Sequence, residues 1–288
     1  MNTNRRLAVA ALTGAGLLWG TTVPLSKLAL EWLPTGWLTA TRFGLAAALL
    51  LPVARRRGGR GQQGPLGPAL QSPWSARVLV SGAIGYGGSV IVQNAGIART
   101  SVTHAALLIG AVPVLVAVIA ALWQHTVARP VAWAGFAVSL AGVGLVTAGG
   151  GSGGATLGGD GLVLASLLLS AAFTVGQASL LRGRDPVAVT AVQFLGAGIG
   201  ALAFTVITEG VPAAPAGPGP VLAVAALTAG GTLLPFTLFA YGQSRVSAEV
   251  AGAFLNLEPL VGAAAGAVIF GNPVGPALVG GGAAILAG

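Results

Sequence analysis

The chain has no cysteine, and its 288 residues include only six acidic side chains, two histidines, one methionine and two tyrosines. The missing thiols exclude disulfides, thiol nucleophiles and thiolate metal sites. Two histidines as far apart as His104 and His125 do not make a metal site, and no metal or cofactor is expected. Charge is scarcer still: 7% of residues are charged, against roughly 25% in a typical soluble domain. So few polar side chains cannot cover a globule in water. What is abundant points the same way: 55% of the chain is hydrophobic, and 47 glycines suit helices that approach closely in a bilayer. Arg5 and Arg6 ahead of the apolar run from Leu7 imitate a signal peptide. Apolar runs recur to the C-terminus, however, so the first reads as a helix that stays.

A spanning helix needs about 20 apolar residues. Runs at 7–28, 34–54, 77–97, 102–124, 130–148, 161–181, 187–208, 220–242, 248–270 and 276–288 predict an all-α membrane protein of ten transmembrane helices. Long connections occur only at 55–74, 149–160 and 209–220, so the other neighbouring helices must be antiparallel hairpins. With the N-terminus in the cytoplasm, eleven arginines fall on the inner side, among them Arg5, Arg55, Arg77, Arg182 and Arg245. Lys27 and Arg99 alone fall outside, and Arg42 lies within the second span. This positive-inside bias predicts a multi-pass protein of the cell membrane with both termini cytoplasmic. It assigns the formal charge of +8 to the membrane face and its lipid, not to a nucleic acid.

An internal repeat is visible without gaps at a shift of 146 residues. Arg99, Ser101, Pro113 and Pro130 match Arg245, Ser247, Pro259 and Pro276, and Leu140-Ala141-Gly142 matches Leu286-Ala287-Gly288. The expected organisation is a first five-helix repeat over 1–148, a Gly-rich linker over 149–160 and a second repeat over 161–288. Five spans is odd, so the two halves are inverted in the bilayer. Inverted repeats place a binding site near the midplane and work by alternating access. The linker lacks a Gly-Lys-Ser/Thr signature, so it is no phosphate loop and argues against an ATP-driven pump. The tenth span is short: 13 residues from Pro276 rise about 20 Å, so the native chain is expected to continue past Gly288.

Against this frame the sequence resembles the EamA-type branch of the drug/metabolite transporter superfamily. The matching features are Trp19-Gly20, Lys27, Pro34 and Arg42-Phe43 in the first two spans, and mid-span Pro113 and Pro259 in the fourth and ninth. Gly-rich stretches at 135–144 and 280–288 match the fifth and tenth. Family members often carry a Gly-Glu pair after spans four and nine; here Gln124-His125-Thr126 and Gly271-Asn272-Pro273 stand there. The resemblance implies ten helices and export or exchange of small metabolites, amino acids among them.

Polar side chains recur three or four residues apart, which places them on shared helix faces. Trp19, Thr22 and Ser26 form one stripe; Thr35, Thr39 and Arg42 a second; Tyr86, Ser89 and Gln93 a third. Ser166, Ser170, Thr174 and Gln177 form a fourth, and Thr190 with Gln193 a fifth. The stripes predict a polar pathway among these spans, although any single hydroxyl serves equally well as a partner for a backbone carbonyl. Spans five and ten are nearly bare and should face lipid or a partner, which leaves a homodimer through them open. Glu258 is the carboxylate deep within a span and must be protonated, paired or wet. It reads as a proton-coupling or cation-binding group, or as the partner of Arg42. Arg42 reads as a receptor for a substrate carboxylate or as the counter-ion of Glu258. Asn256 sits about 200° round the helix from Glu258 and joins the same cavity only if Pro259 distorts the helix. Pro113 and Pro259 are candidate hinges. The functional expectation is a secondary transporter, not an enzyme, with a passive facilitator or channel for small polar solutes as the alternative.

Overall fold

The protein is described by a computed structural model that covers residues 3–58, 74–123, 130–148, 154–246, 250–251 and 254–287. Helices account for nearly all of these residues. Taking broken helices together, α1 is Thr3–Gly20 continued by Thr22–Ala29, α2 is Thr35–Gly58, and α3 runs from Ala76–Gly82 through Ala83–Gly88 to Ser89–Arg99. The fourth, α4, joins Val102–Ile109 to Val112–Trp123, and α5 is Pro130–Ala148. In the second half α6 is Leu157–Leu181, α7 is Pro186–Thr208, and α8 runs from Pro218–Thr228 through Ala229–Leu233 to Leu234–Gln243. The ninth, α9, combines Phe254–Asn256 with Leu257–Phe270, and α10 is Pro276–Ala287. Seven of these are long and apolar enough to cross a membrane, and the shorter ones at α5, α9 and α10 are equally apolar. Large apolar side chains such as Val131, Ile207 and Val268 stand on the outside, which suits a protein whose solvent is lipid.

The packing repeats itself between the halves. Helix α2 packs on α7, α4 on α9 and α5 on α10, each against its own equivalent. The contact of α3 with α6 is matched by that of α8 with α1. This is the pattern of two five-helix repeats related by a pseudo-two-fold axis between them.

Irregular segments follow the same shift of 146 residues seen in the sequence. The π-helical turn Ala83–Gly88 in α3 corresponds to Ala229–Leu233 in α8. The break in α4 at Gly110–Ala111 corresponds to the junction of Phe254–Asn256 with Leu257 in α9. Pro113 and Pro259 lie beside these breaks, each in the first turn of the helical section that follows. The first turn has no intrahelical use for the missing N–H, so proline costs little there. Helix α6 starts at Leu157, so it takes the last four positions of the expected linker, whose residues 149–153 lie outside the described residues, as does His125.

Helices α5 and α10 were expected to face lipid or a partner. Each is in fact the other's partner. They cross backbone to backbone where a side chain on Gly142 would meet the Gly281 carbonyl, and one on Gly281 would meet that of Gly142. Their outer faces carry Val131, Leu140 and Val279.

One carboxylate that sequence reading passed over ties the halves together. Glu209, just past α7, accepts hydrogen bonds from Thr205 Oγ1, Thr35 Oγ1 and the N–H groups of Gly36 and Trp37, the open start of α2. Burial alone pushes the Glu209 carboxyl up, but these hydrogen bonds outweigh it and hold the group below its ordinary value. A depressed carboxylate stabilises the fold above its unfolded pKa and loses that contribution as pH falls through the folded one. Glu209→Gln should therefore be less stable than the parent at neutral pH, with the difference shrinking in acid. Parallel thermal melts across pH check this, and a gap that persists in acid would contradict it.

Candidate functional site

A cavity of about 130 Å³ lies between the two halves. Trp19 and Thr22 come from α1, Arg42 from α2, Tyr86, Ser89 and Gln93 from α3, and Gln177 from α6, with Glu258 from α9. Seven of the nine residues predicted for the pathway thus share one space: Trp19, Thr22, Arg42, Tyr86, Gln93, Gln177 and Glu258. The side chain of Asn256 lies outside the description. Gln193 does not line the cavity.

The position of Gln193 has a structural reason. A shift of 151 residues sets Thr39-Ala40 and Arg42-Phe43 of α2 on Thr190-Ala191 and Gln193-Phe194 of α7. Arg42 and Gln193 are therefore counterparts, and each anchors its helix to a neighbour. Gln193 Nε2 donates to Gln177 Oε1 at 2.7 Å and to Ser81 Oγ at 3.2 Å. Gln177 Nε2 returns a bond to Gln193 Oε1 at 3.1 Å. Helix α7 comes this close to α3 because both crossing points are glycine. A side chain on Gly82 would collide with the Gln193 backbone, and one on Gly196 with the Leu79 carbonyl.

Arg42 is buried and donates from Nε to Thr232 Oγ1 at 2.7 Å and from a terminal nitrogen to the Gly231 carbonyl at 3.1 Å. Both acceptors belong to the π-helical turn of α8. Among the described residues no ion pair joins Arg42 to Glu258, although both face the same cavity. Glu258 stands in the first turn of the helix Leu257–Phe270. Gly20 packs beneath it, so close that a side chain would meet the Glu258 carbonyl and Val261.

Five hydroxyls of the stripes, those of Thr22, Thr39, Ser89, Ser166 and Thr174, donate to backbone carbonyls. Thr22 Oγ1 donates to Trp19 O at 2.6 Å and Thr174 Oγ1 to Ser170 O at 2.8 Å, while Ser89 Oγ donates to Gly85 O. Such groups offer the cavity an oxygen acceptor but not a proton. One polar wall residue escaped sequence reading: Gln243, at the end of α8, is buried with both amide atoms unpartnered. It ends its span and falls in no stripe. Two aromatic wall residues, Phe173 and Phe236, were also missed. Phe236 packs edge-on to Trp19 at 4.9 Å and to Tyr86 at 4.7 Å, and Tyr86 lies 4.5 Å from Phe173. These rings come from four helices, so no periodicity within one helix announces them.

A family model for the EamA-like transporter family matches residues 6–148 and again 157–288. The chain belongs to that family. It is a multi-pass membrane transporter, and the family is not an enzyme family. The two matches cover the two halves, in agreement with the repeated packing. Among solved structures, one titled only "Crystal structure of protein" is 22% identical over 97% of this chain and 93% of its own, with a TM-score of 0.70. At that identity it shares the fold. No curated protein matches.

Proposed function

We propose that this EamA-family transporter exports or exchanges a small metabolite, such as an amino acid, by alternating access around the cavity between residues 1–148 and 161–288. The observation that carries the reading is that Arg42 and Glu258 face one cavity without being paired to each other. A zwitterion presents the complementary carboxylate and ammonium groups; Arg42, bonded to α8 through Nε and one terminal nitrogen, keeps further N–H donors for the first, and Glu258 can accept from the second. A volume of about 130 Å³ suits a small solute. The test is uptake and efflux by purified protein in liposomes, with amino acids and related metabolites, with and without a pH gradient. Transport driven uphill supports the reading; conduction that never couples to a gradient or counter-substrate supports a passive facilitator. Proton coupling rests on Glu258. A homodimer through the outward faces of α5 and α10 rests on their exposed apolar side chains alone.

The arginine bias of the connections supports a cell-membrane location with both termini in the cytoplasm. Single cysteines at Gly58 and Arg184 should then react with an impermeant thiol reagent only from the cytoplasmic side, and one at Ala214 only from outside. Labelling of Gly58 and Ala214 from the same side would overturn that orientation.

Pro113 and Pro259 are proposed as hinge residues, each keeping the helix start after a break fixed while the break flexes. Replacement of either by Ala should let the helix extend backwards across the break and slow exchange about tenfold, with the fold intact. Normal exchange rates in both variants would remove that role.

A further inference from the structure

Outside the cavity, the least expected polar cluster sits where α6 begins. His104 is fully buried, and its Nδ1 lies 3.1 Å from Asp160 Oδ2. Thr100 Oγ1 donates to the other oxygen of Asp160. Ser101 Oγ caps α4 by accepting from the His104 N–H. Thr156 Oγ1 donates to the Arg99 carbonyl, and Lys27 Nζ donates to the carbonyls of Ile97 and Thr100 at 2.8 Å each. The bonds join the starts of α4 and α6 and the end of α1 to the end of α3. The backbones are in contact as well: a side chain on Gly159 would meet the Arg99 carbonyl. Hence α6 cannot part from the α3–α4 turn without breaking the bonds of Asp160. The other charged groups on helices packed against this part of α4 lie elsewhere: Arg99 is exposed on its own Ala95 carbonyl, and Glu258 faces the cavity.

The pseudo-symmetry provides an internal control. The matching junction at the opposite end is that of α1 with α8 and α9. By the shift of 146, Thr100 and His104 correspond to Val246 and Val250; by the shift of 151, Asp160 and Lys27 correspond to Val9 and Ala178. Thr100, His104, Asp160 and Lys27 thus have apolar counterparts, whereas Ser101 has Ser247 and Thr156 has Arg5. The corresponding helix contact there is Gly242 against the Leu12 side chain, where the first end has Gly96 against Val163. Glu249, the counterpart of Thr103, lies outside the described residues.

We propose that His104, Asp160 and Thr100 form a one-sided latch that holds the transporter closed at the end where α6 begins, and so makes closure there its resting state. The inference rests on the alternating-access reading. A buried polar bond broken on opening at one end, with valine at the positions that match His104, Asp160 and Thr100 at the other, favours closure at the first.

The experiment uses Ser170→Cys, in the cavity wall, as reporter in this otherwise cysteine-free chain. Labelling by an impermeant thiol reagent is followed from each side of sealed vesicles of known orientation. The latch is removed by His104→Val with Asp160→Val, which installs the side chains of the opposite end and leaves no unpaired buried charge. The double variant should label about tenfold faster from the Asp160 side and correspondingly slower from the other. Asp160→Asn alone should move in the same direction. A lowered melting temperature with unchanged labelling from both sides would show a merely structural cluster and overturn the latch. Labelling of the parent that shifts between sides with substrate, but not with the latch variants, would overturn the latch alone. Labelling that never shifts sides under any condition would overturn alternating access and the latch with it.

Discussion

Glu258→Gln is expected to lose gradient-driven accumulation while retaining exchange of substrate across the membrane. A coupling carboxylate must take up a proton on one side and release it on the other in every cycle. The amide keeps the size and the acceptor oxygen of Glu258 but cannot change charge. Net flux that requires a proton to cross should then fall by about 10- to 100-fold, the size of a typical coupling between two ligands. Exchange returns the carrier loaded in both directions and needs no net proton movement, so it should persist. The geometry favours this over a passive role. Glu258 stands on a helix start facing the cavity, with no cation bonded to it among the described residues. A carboxylate without a fixed partner is free to take up a proton or a substrate ammonium. Proteoliposome flux with and without an imposed pH gradient separates the outcomes. Unchanged pH dependence in Glu258→Gln would exclude it as the coupling group.

The ten helices were legible because lipid imposes one simple rule, a run of apolar residues long enough to span. The repeat was legible because Arg99, Pro113 and Pro130 and their equivalents are rare residues in this composition. Helix faces within one span were legible for the same reason: Trp19, Thr22, Tyr86, Gln93 and Gln177 do converge, since period alone decides which side of a helix they occupy. What failed was anything set by contact between distant segments. Asp160 reads in sequence as the last residue of a Gly-rich linker, and His104 as an interfacial histidine. Only the approach of α6 to the α3–α4 turn makes them a buried pair. Gln193 fits its stripe, but the close crossing of α3 and α7 at Gly82 and Gly196 turns that face into a contact. The π-helical turns were hidden too. Their glycines, Gly85, Gly87 and Gly88 in one and Gly230 and Gly231 in the other, are indistinguishable by composition from the many that merely aid packing.

The same distinction decides what Arg42 does. Charge counting within the bilayer pairs it with Glu258, and a fixed pair predicts that either single change leaves a stranded charge while the double change restores stability. The geometry predicts otherwise. Arg42 holds α2 to the π-helical turn of α8 through Thr232 Oγ1 and the Gly231 carbonyl. A hydrogen bond from a charged donor contributes roughly 1.5–3 kcal/mol, part of which offsets the cost of burying the guanidinium. Arg42→Gln should therefore destabilise the protein by about 2 kcal/mol, a fall of about 5 °C in melting temperature. Glu258→Gln should lower the melting temperature less than Arg42→Gln, because it removes no bond to Arg42 and only an attraction across the cavity. The double variant should then stay well below parental stability, with an interaction energy of roughly 1 kcal/mol, as for charges that share a cavity without a bond. Melting the two single variants and the double one in the same detergent measures that interaction directly. Recovery of parental stability in the double variant would mean that the two charges neutralise each other across the cavity. In that case the anchor on α8 would be incidental, and Arg42 would belong to the coupling chemistry of Glu258.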